Sequence, residues 1–139
     1  MLVREVMTRP VEMAKTSSTI QQAAARMQKL NVGALPVADQ ERVVGMITDR
    51  DIALRAVARG LALKTPIRDI MSSGVKYCFD DEDVDHVLSK MADAQVRRLP
   101  VINRDKRLVG ILSLGDVATA HTPEATGQAL RRISRTRSA

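Results

Sequence analysis

The chain has 139 residues and a net charge of +6, with 45% apolar and 27% charged residues, no Trp, and only Tyr77 and Phe79 as large aromatics. That length holds one ordinary domain or two small units sharing a core, and the core must be aliphatic. No apolar run approaches the roughly 18 residues of a membrane span, and the lone Cys78 excludes an internal disulfide framework and a zinc site built on a cluster of cysteines.

The charge is unevenly placed. Residues 1–120 carry 18 Lys/Arg against 15 Asp/Glu, whereas Arg131, Arg132, Arg135 and Arg137 crowd the last nine positions. The body of the chain is therefore mildly basic. Residues 122–139 read as a basic, flexible tail, because Ser/Thr/Arg-rich termini seldom order on their own. Binders of single strands stack bases on aromatic platforms that this chain lacks, so nucleic acid is not the expected partner. The opening Met1-Leu2-Val3-Arg4-Glu5 has no signal-peptide core, and the expectation is a cytoplasmic protein with no membrane association.

In chain order, a short helix is expected over residues 3–7 and an extended stretch over 11–13. Ile20, Ala23, Ala24 and Met27 then recur at i, i+3, i+4 and i+7, the spacing of an amphipathic helix, with Thr19 and Gln22 placed as a capping box. Residues 35–38 and 43–47 read as strands around a turn. A helix starting at Thr48 is stopped by Gly60. The order then returns. Thr65-Pro66 opens a prefix helix over 66–71, and residues 75–79 are extended. Val84, Val87, Leu88 and Met91 mark the second amphipathic helix, whose start the acids of 80–85 favour. Residues 99–102 and 108–112 are strands, and a last helix begins at Ser113.

This is a tandem duplication. At an offset of 64, Arg4/Arg68, Met7/Met71, Val11/Val75, Met27/Met91, Val32/Val96, Leu35/Leu99, Pro36/Pro100 and Val37/Val101 are identical. After one inserted residue the offset is 65, and Arg42/Arg107, Val44/Val109, Gly45/Gly110, Asp51/Asp116 and Ala53/Ala118 match. Repeat 1 is placed at residues 1–60, a linker at 61–65, and repeat 2 at 66–121. The fold class is α/β (α+β), each copy β-α-β-β-α with a short helical prefix. One such copy is marginal alone, so the two are expected to pack about a pseudo-twofold axis.

The sharpest paired motif is Gly45-Met46-Ile47-Thr48-Asp49-Arg50-Asp51 against Gly110-Ile111-Leu112-Ser113-Leu114-Gly115-Asp116. A hydroxyl followed three residues later by an acid is close to a capping box that any helix could use. The same residues could also serve a ligand. A helix start beyond a strand suits a phosphate, a hydroxyl there can donate to it, and an aspartate one turn in can accept both hydroxyls of a ribose diol. Both readings stand on sequence.

With these motifs, and with Val6-Met7, Ile70-Met71, Val32-Gly33-Ala34-Leu35-Pro36-Val37 and Val96-Arg97-Arg98-Leu99-Pro100-Val101, residues 3–120 resemble a CBS-domain pair (Bateman module), in particular the small stand-alone bacterial proteins. The resemblance implies that adenine nucleotides or adenosyl compounds bind in clefts between the repeats. Asp51 and Asp116 would hold ribose, with Thr48, Ser113, Arg97 and Arg98 near phosphate. Val11, Glu12, Met13, Val75, Lys76 and Tyr77 would line the base, partly by backbone. Gly33 and Ala34 stand where Arg97 and Arg98 do in the second copy, so the two sites are expected to be unequal. Adjacent arginines before a strand also commonly extend to solvent.

The implied function is a non-enzymatic sensor of an AMP-, ADP- or ATP-like ligand, with S-adenosylmethionine or NADH as other adenosine compounds of the same kind. It would act as a homodimer read by a separate effector protein, and no cofactor is required. The alternative is a dimeric scaffold, or a nucleic-acid-associated protein working through its Arg-rich tail, with degenerate clefts. No nucleophile–base pair, carboxylate pair or metal set argues for an enzyme. The acids of 80–85 lack the spacing of a calcium loop, and His86 and His121 have no second ligand at metal spacing.

Overall fold

A computed structural model of the chain describes residues 1–9, 12–74, 76–120 and 123–135. Among them the elements run α1 (Val3–Val6), β1 (Ala14–Lys15), α2 (Ile20–Leu30), β2 (Ala34–Asp39), β3 (Arg42–Thr48) and α3 (Asp49–Asp51), which continues as a π-helical stretch, Ile52–Val57. A 3-10 turn (Ile67–Asp69), β4 (Ser72–Ser73), β5 (Cys78–Phe79), α4 (Val84–Ala94), β6 (Arg98–Ile102), β7 (Leu108–Ser113), α5 (Leu114–Ala120) and α6 (Pro123–Arg135) follow. The architecture is mixed α+β, with a sheet ordered β1-β2-β3-β4 and another ordered β5-β6-β7.

The duplication is visible in local detail. In each copy a two-residue strand joins a longer one in parallel, and that strand pairs antiparallel with the next. A register shift falls between Val37 and Ala38 and again between Val101 and Ile102. Both amphipathic helices end on a left-handed residue, Asn31 and Gln95, 64 positions apart. The capping box at α2 forms as its sequence suggests: Thr19 N donates to Gln22 Oε1 (2.9 Å) and Gln22 N to Thr19 Oγ1 (3.1 Å).

The chain divides into two compact units, Glu12–Val75 and Met1–Val11 with Lys76–Ala139. This cut differs from the expected 1–60 and 66–121, because each helical prefix joins the other repeat. In the second unit Val3 N donates to the Glu82 carbonyl (2.9 Å), Val3 is fully buried, and Thr8 bridges Ile111 in antiparallel fashion. In the first unit Ile67 and Ile70 enter the core and β4 completes the sheet beside β3. The methionines of the two prefixes explain the paired glycines. A Cβ on Gly45 would lie 2.5 Å from the Ser72 carbonyl oxygen and 3.1 Å from Met71 Sδ. On Gly110 it would lie 2.5 Å from Met7 Sδ. Only glycine permits that approach of prefix to strand. Residues 61–65, expected as a linker, also have structural work: the Thr65 and Leu63 carbonyls accept Ile20 N and Gln21 N, two of the N–H groups that open α2 without a partner inside the helix.

The basic segment 122–139 is not a flexible tail over the part described. Residues Pro123–Arg135 form α6, packed on α4. Thr126, Ala129 and Ile133 are its buried positions, spaced three and four apart, and Ile133 is fully buried. Arg132 pairs with Asp93 of α4. The Ser/Thr/Arg-rich composition hid a three-residue buried stripe of which only Ala129 and Ile133 are apolar. No helix among the described residues is long and apolar enough to cross a membrane.

Candidate functional site

Each repeat turns from its last strand into a helix at the glycine-to-aspartate motif, and each turn is closed by the same box. Thr48 N donates to Asp51 Oδ2 (3.0 Å), and Asp51 N returns a bond to Thr48 Oγ1 (3.0 Å). In the second copy Ser113 N donates to Asp116 Oδ2 and Asp116 N to Ser113 Oγ, both at 3.0 Å. The capping reading is therefore realised in both copies. It engages one oxygen of each carboxylate and leaves Oδ1 outside the box. The hydroxyl oxygens of Thr48 and Ser113 serve as acceptors here, so their protons are available to an acceptor outside.

Beyond the box the copies diverge. Asp51, with 13% of its side chain exposed, has Arg55 Nε 3.8 Å from Oδ1, too long for a hydrogen bond. Asp116 instead accepts the Thr8 hydroxyl, 3.0 Å from Oδ1 and 3.1 Å from Oδ2. Sequence reasoning missed Thr8. Its signal was present, since Thr8 stands 64 positions before Ser72, a second hydroxyl after a matched methionine.

Of the two expected arginines, the sheet pairs Arg98 with the first residue of the Asp116 box. Arg98 of β6 lies directly opposite Ser113 of β7 in the ladder, and residues so paired share a face. The Arg97 carbonyl accepts Leu114 N at 2.9 Å, and both arginine side chains are exposed. The first copy has the same backbone frame without the cations. Ala34 stands opposite Thr48, and the Gly33 carbonyl accepts Asp49 N (2.9 Å). A Cβ on Gly33 would sit 3.0 Å from Asp49 Oδ2, so glycine makes room for an anionic side chain there.

The base-lining candidates are divided by unit. Glu12 and Met13 precede β1, which pairs in parallel with β2 at Ala14↔Val37, so they enter from the end of β2 where Ala34 meets Thr48. Glu12 pairs with Arg26 of α2 (2.8 Å). An open cleft of about 590 Å³ continues from Met13 past Lys15 and Ser17 to Arg26. Lys76 and Tyr77 are exposed in the second unit, and Tyr77 meets Phe79 edge-on, ring centroids 5.8 Å apart. Val11 and Val75, like His121, lie outside the described residues.

The acidic run 80–85 is engaged in local bonding. Arg104 forks onto Asp81 at 2.7 and 2.8 Å while lying over the Phe79 ring, and that fork holds the Asp81 carboxyl below its ordinary range. Burial would raise Glu82, but Lys90 at 2.7 Å and the Phe79 N–H outweigh it and hold the carboxyl low. Asp83 caps α4 through Asp85 N (3.0 Å), which holds it low as well. Among the described residues no cluster of His, Cys, Asp and Glu could hold a metal ion. Burial pushes the Cys78 thiol up to about 12, with the nearby Glu82 charge adding to the rise.

Duplicated sheets, exchanged prefixes and a repeated hydroxyl-to-aspartate helix start mark the chain as two copies of one α+β repeat. The CBS domain family model matches residues 3–57 and 67–122, and the chain belongs to that family. The CBS domain-containing protein YhcV of Bacillus subtilis is 41% identical over 133 residues, 95% of this chain and 94% of that one. The CBS domain pair of protein MJ0100, solved with 5′-methylthioadenosine and S-adenosyl-L-methionine, is similar with a TM-score of 0.77 and 34% identity, covering 86% of this chain and 94% of that one. CBS domain protein PAE2072 from Pyrobaculum aerophilum, solved with AMP, gives a TM-score of 0.77 at 29% identity over 93% and 98% of the two chains.

Proposed function

We propose that this protein is a cytoplasmic, non-enzymatic regulatory module that binds an adenosine-containing ligand, AMP-, ADP- or ATP-like, at its two hydroxyl-to-aspartate helix starts. Asp51 and Asp116 accept the ribose hydroxyls. Thr48, Ser113, Arg97 and Arg98 face the phosphate end, and Glu12, Met13, Lys76 and Tyr77 flank the base together with Val11 and Val75. S-adenosylmethionine and NADH share the adenosine part and belong to the same ligand class. The protein works as a homodimer whose arrangement responds to ligand and is read by a separate effector.

The observation that carries this reading is that each capping box occupies only one oxygen of its aspartate. Capping needs only one oxygen of an acid, yet both copies place an aspartate whose second oxygen stands outside the box. Solved relatives that hold AMP, 5′-methylthioadenosine and S-adenosylmethionine support the ligand class. A thermal-shift series with AMP, ATP and S-adenosylmethionine tests it. Stabilisation that grows with ligand concentration is expected, with part of it removed by Asp51→Ala and part by Asp116→Ala. Retention of the whole shift in both variants refutes the ribose assignment.

A further inference from the structure

We infer that Thr8 is an internal competitor at Asp116, a hydroxyl that a ribose diol must displace there and need not displace at Asp51. This rests on the ribose reading of the aspartates proposed above. The Thr8 hydroxyl donates to the Asp116 carboxylate, 3.0 Å from one oxygen and 3.1 Å from the other. A hydroxyl bound to an ionised carboxylate is a strong donor, and it is the same chemical group that a diol would present. Asp116 Oδ2 already accepts Ser113 N, so a diol must take the place that Thr8 holds.

The main chain delivers this hydroxyl firmly. Thr8 N donates to the Ile111 carbonyl (2.8 Å) and Ile111 N to the Thr8 carbonyl (3.1 Å), with Met7 seated over Gly110 just before. Release therefore needs only rotation of the exposed Thr8 side chain, and the bridge to Ile111 can stay. Among the described residues the first unit shows no such competitor. Ser72, the counterpart of Thr8, makes no hydrogen bond to Asp51 among the described residues, and Arg55 stands off at 3.8 Å, where it can remain while a diol donates. The Thr8 hydroxyl thus weakens the site at Asp116 by a cost that the site at Asp51 does not carry.

The test is calorimetric titration of AMP into the full-length chain. Asp51→Asn isolates binding at Asp116, and Thr8→Val or Thr8→Ser is added to it. Thr8→Val is expected to tighten that remaining event roughly tenfold, while Thr8→Ser, which keeps the donor, stays within about twofold. Unchanged or weaker binding with Thr8→Val overturns the inference. If Asp116→Asn abolishes the event while Thr8→Val fails to strengthen it, only the role of Thr8 falls. If Asp116→Asn leaves the event intact, or AMP gives no heat with any variant, the ribose reading falls and this inference with it.

Discussion

The two repeats are built from one pattern and differ where the pattern is finished. Each closes its helix start with a hydroxyl–aspartate box, and each receives the other's prefix against a strand glycine. The second unit then adds an Arg98 beside its box, a Thr8 on its aspartate and an extra helix, α6, over α4. The first unit has Ala34 opposite its box, an Arg55 at a distance, and, among the described residues, no helix in the position of α6. Duplication supplies two frames, and the residues outside the shared pattern make them chemically distinct.

The largest expected effect tests the covered unit. Ile133 is fully buried between α6 and the core that holds Met91 and Val117. Ile133→Ala should cost about 2–5 kcal/mol in urea unfolding, as a large-to-small change in a packed core does. An effect near zero would mean that α6 does not contribute to the core. Next come the glycines. Gly45→Ala drives a methyl into the Ser72 carbonyl and should cost about 1–3 kcal/mol. Gly110→Ala meets first the flexible Met7 thioether, so its loss should be smaller. The reverse order would contradict the packing of the two prefixes.

A smaller effect is acid sensitivity of the second unit. Asp81, Glu82 and Asp83 are held below their ordinary range, so the folded chain binds fewer protons there than the unfolded one. Their contribution is complete above the ordinary carboxylate values near pH 4 and is lost as pH falls through the lowered ones. The urea midpoint should therefore drop below pH 4, and Lys90→Met should shrink the drop by removing a partner of Glu82. An equal drop in the variant would assign the acid loss elsewhere. The smallest expected signal is at Cys78. Buried, with its thiol raised to about 12, it should resist alkylation until the protein unfolds. Rapid labelling of the native protein would contradict that burial.

Much of this was legible in the sequence because duplication doubles every weak signal. The amphipathic helices and paired strands appear wherever apolar spacing repeats, and the Thr19–Gln22 box formed as its residues suggest. The swap of prefixes was not legible. Periodicity along a chain shows which residues are buried but not against which repeat, and Met7 would satisfy either strand. The helix α6 was concealed because Thr126, Ala129 and Ile133 are a thin stripe among Arg, Ser and Gln. The repeat match of Thr8 with Ser72 marks a hydroxyl after each prefix methionine but not what that hydroxyl meets. Its meaning arises only when the Thr8–Ile111 bridge carries it to Asp116.

The central claim, that carboxylates left half-free by their capping boxes hold a ribose diol, is tested most directly by comparing AMP with 2′-deoxyadenosine monophosphate in calorimetric titrations of the wild-type chain. The account predicts that removing one hydroxyl weakens binding by about tenfold or more, because a carboxylate placed for two donors is left with one. Equal affinity for the two nucleotides would contradict it.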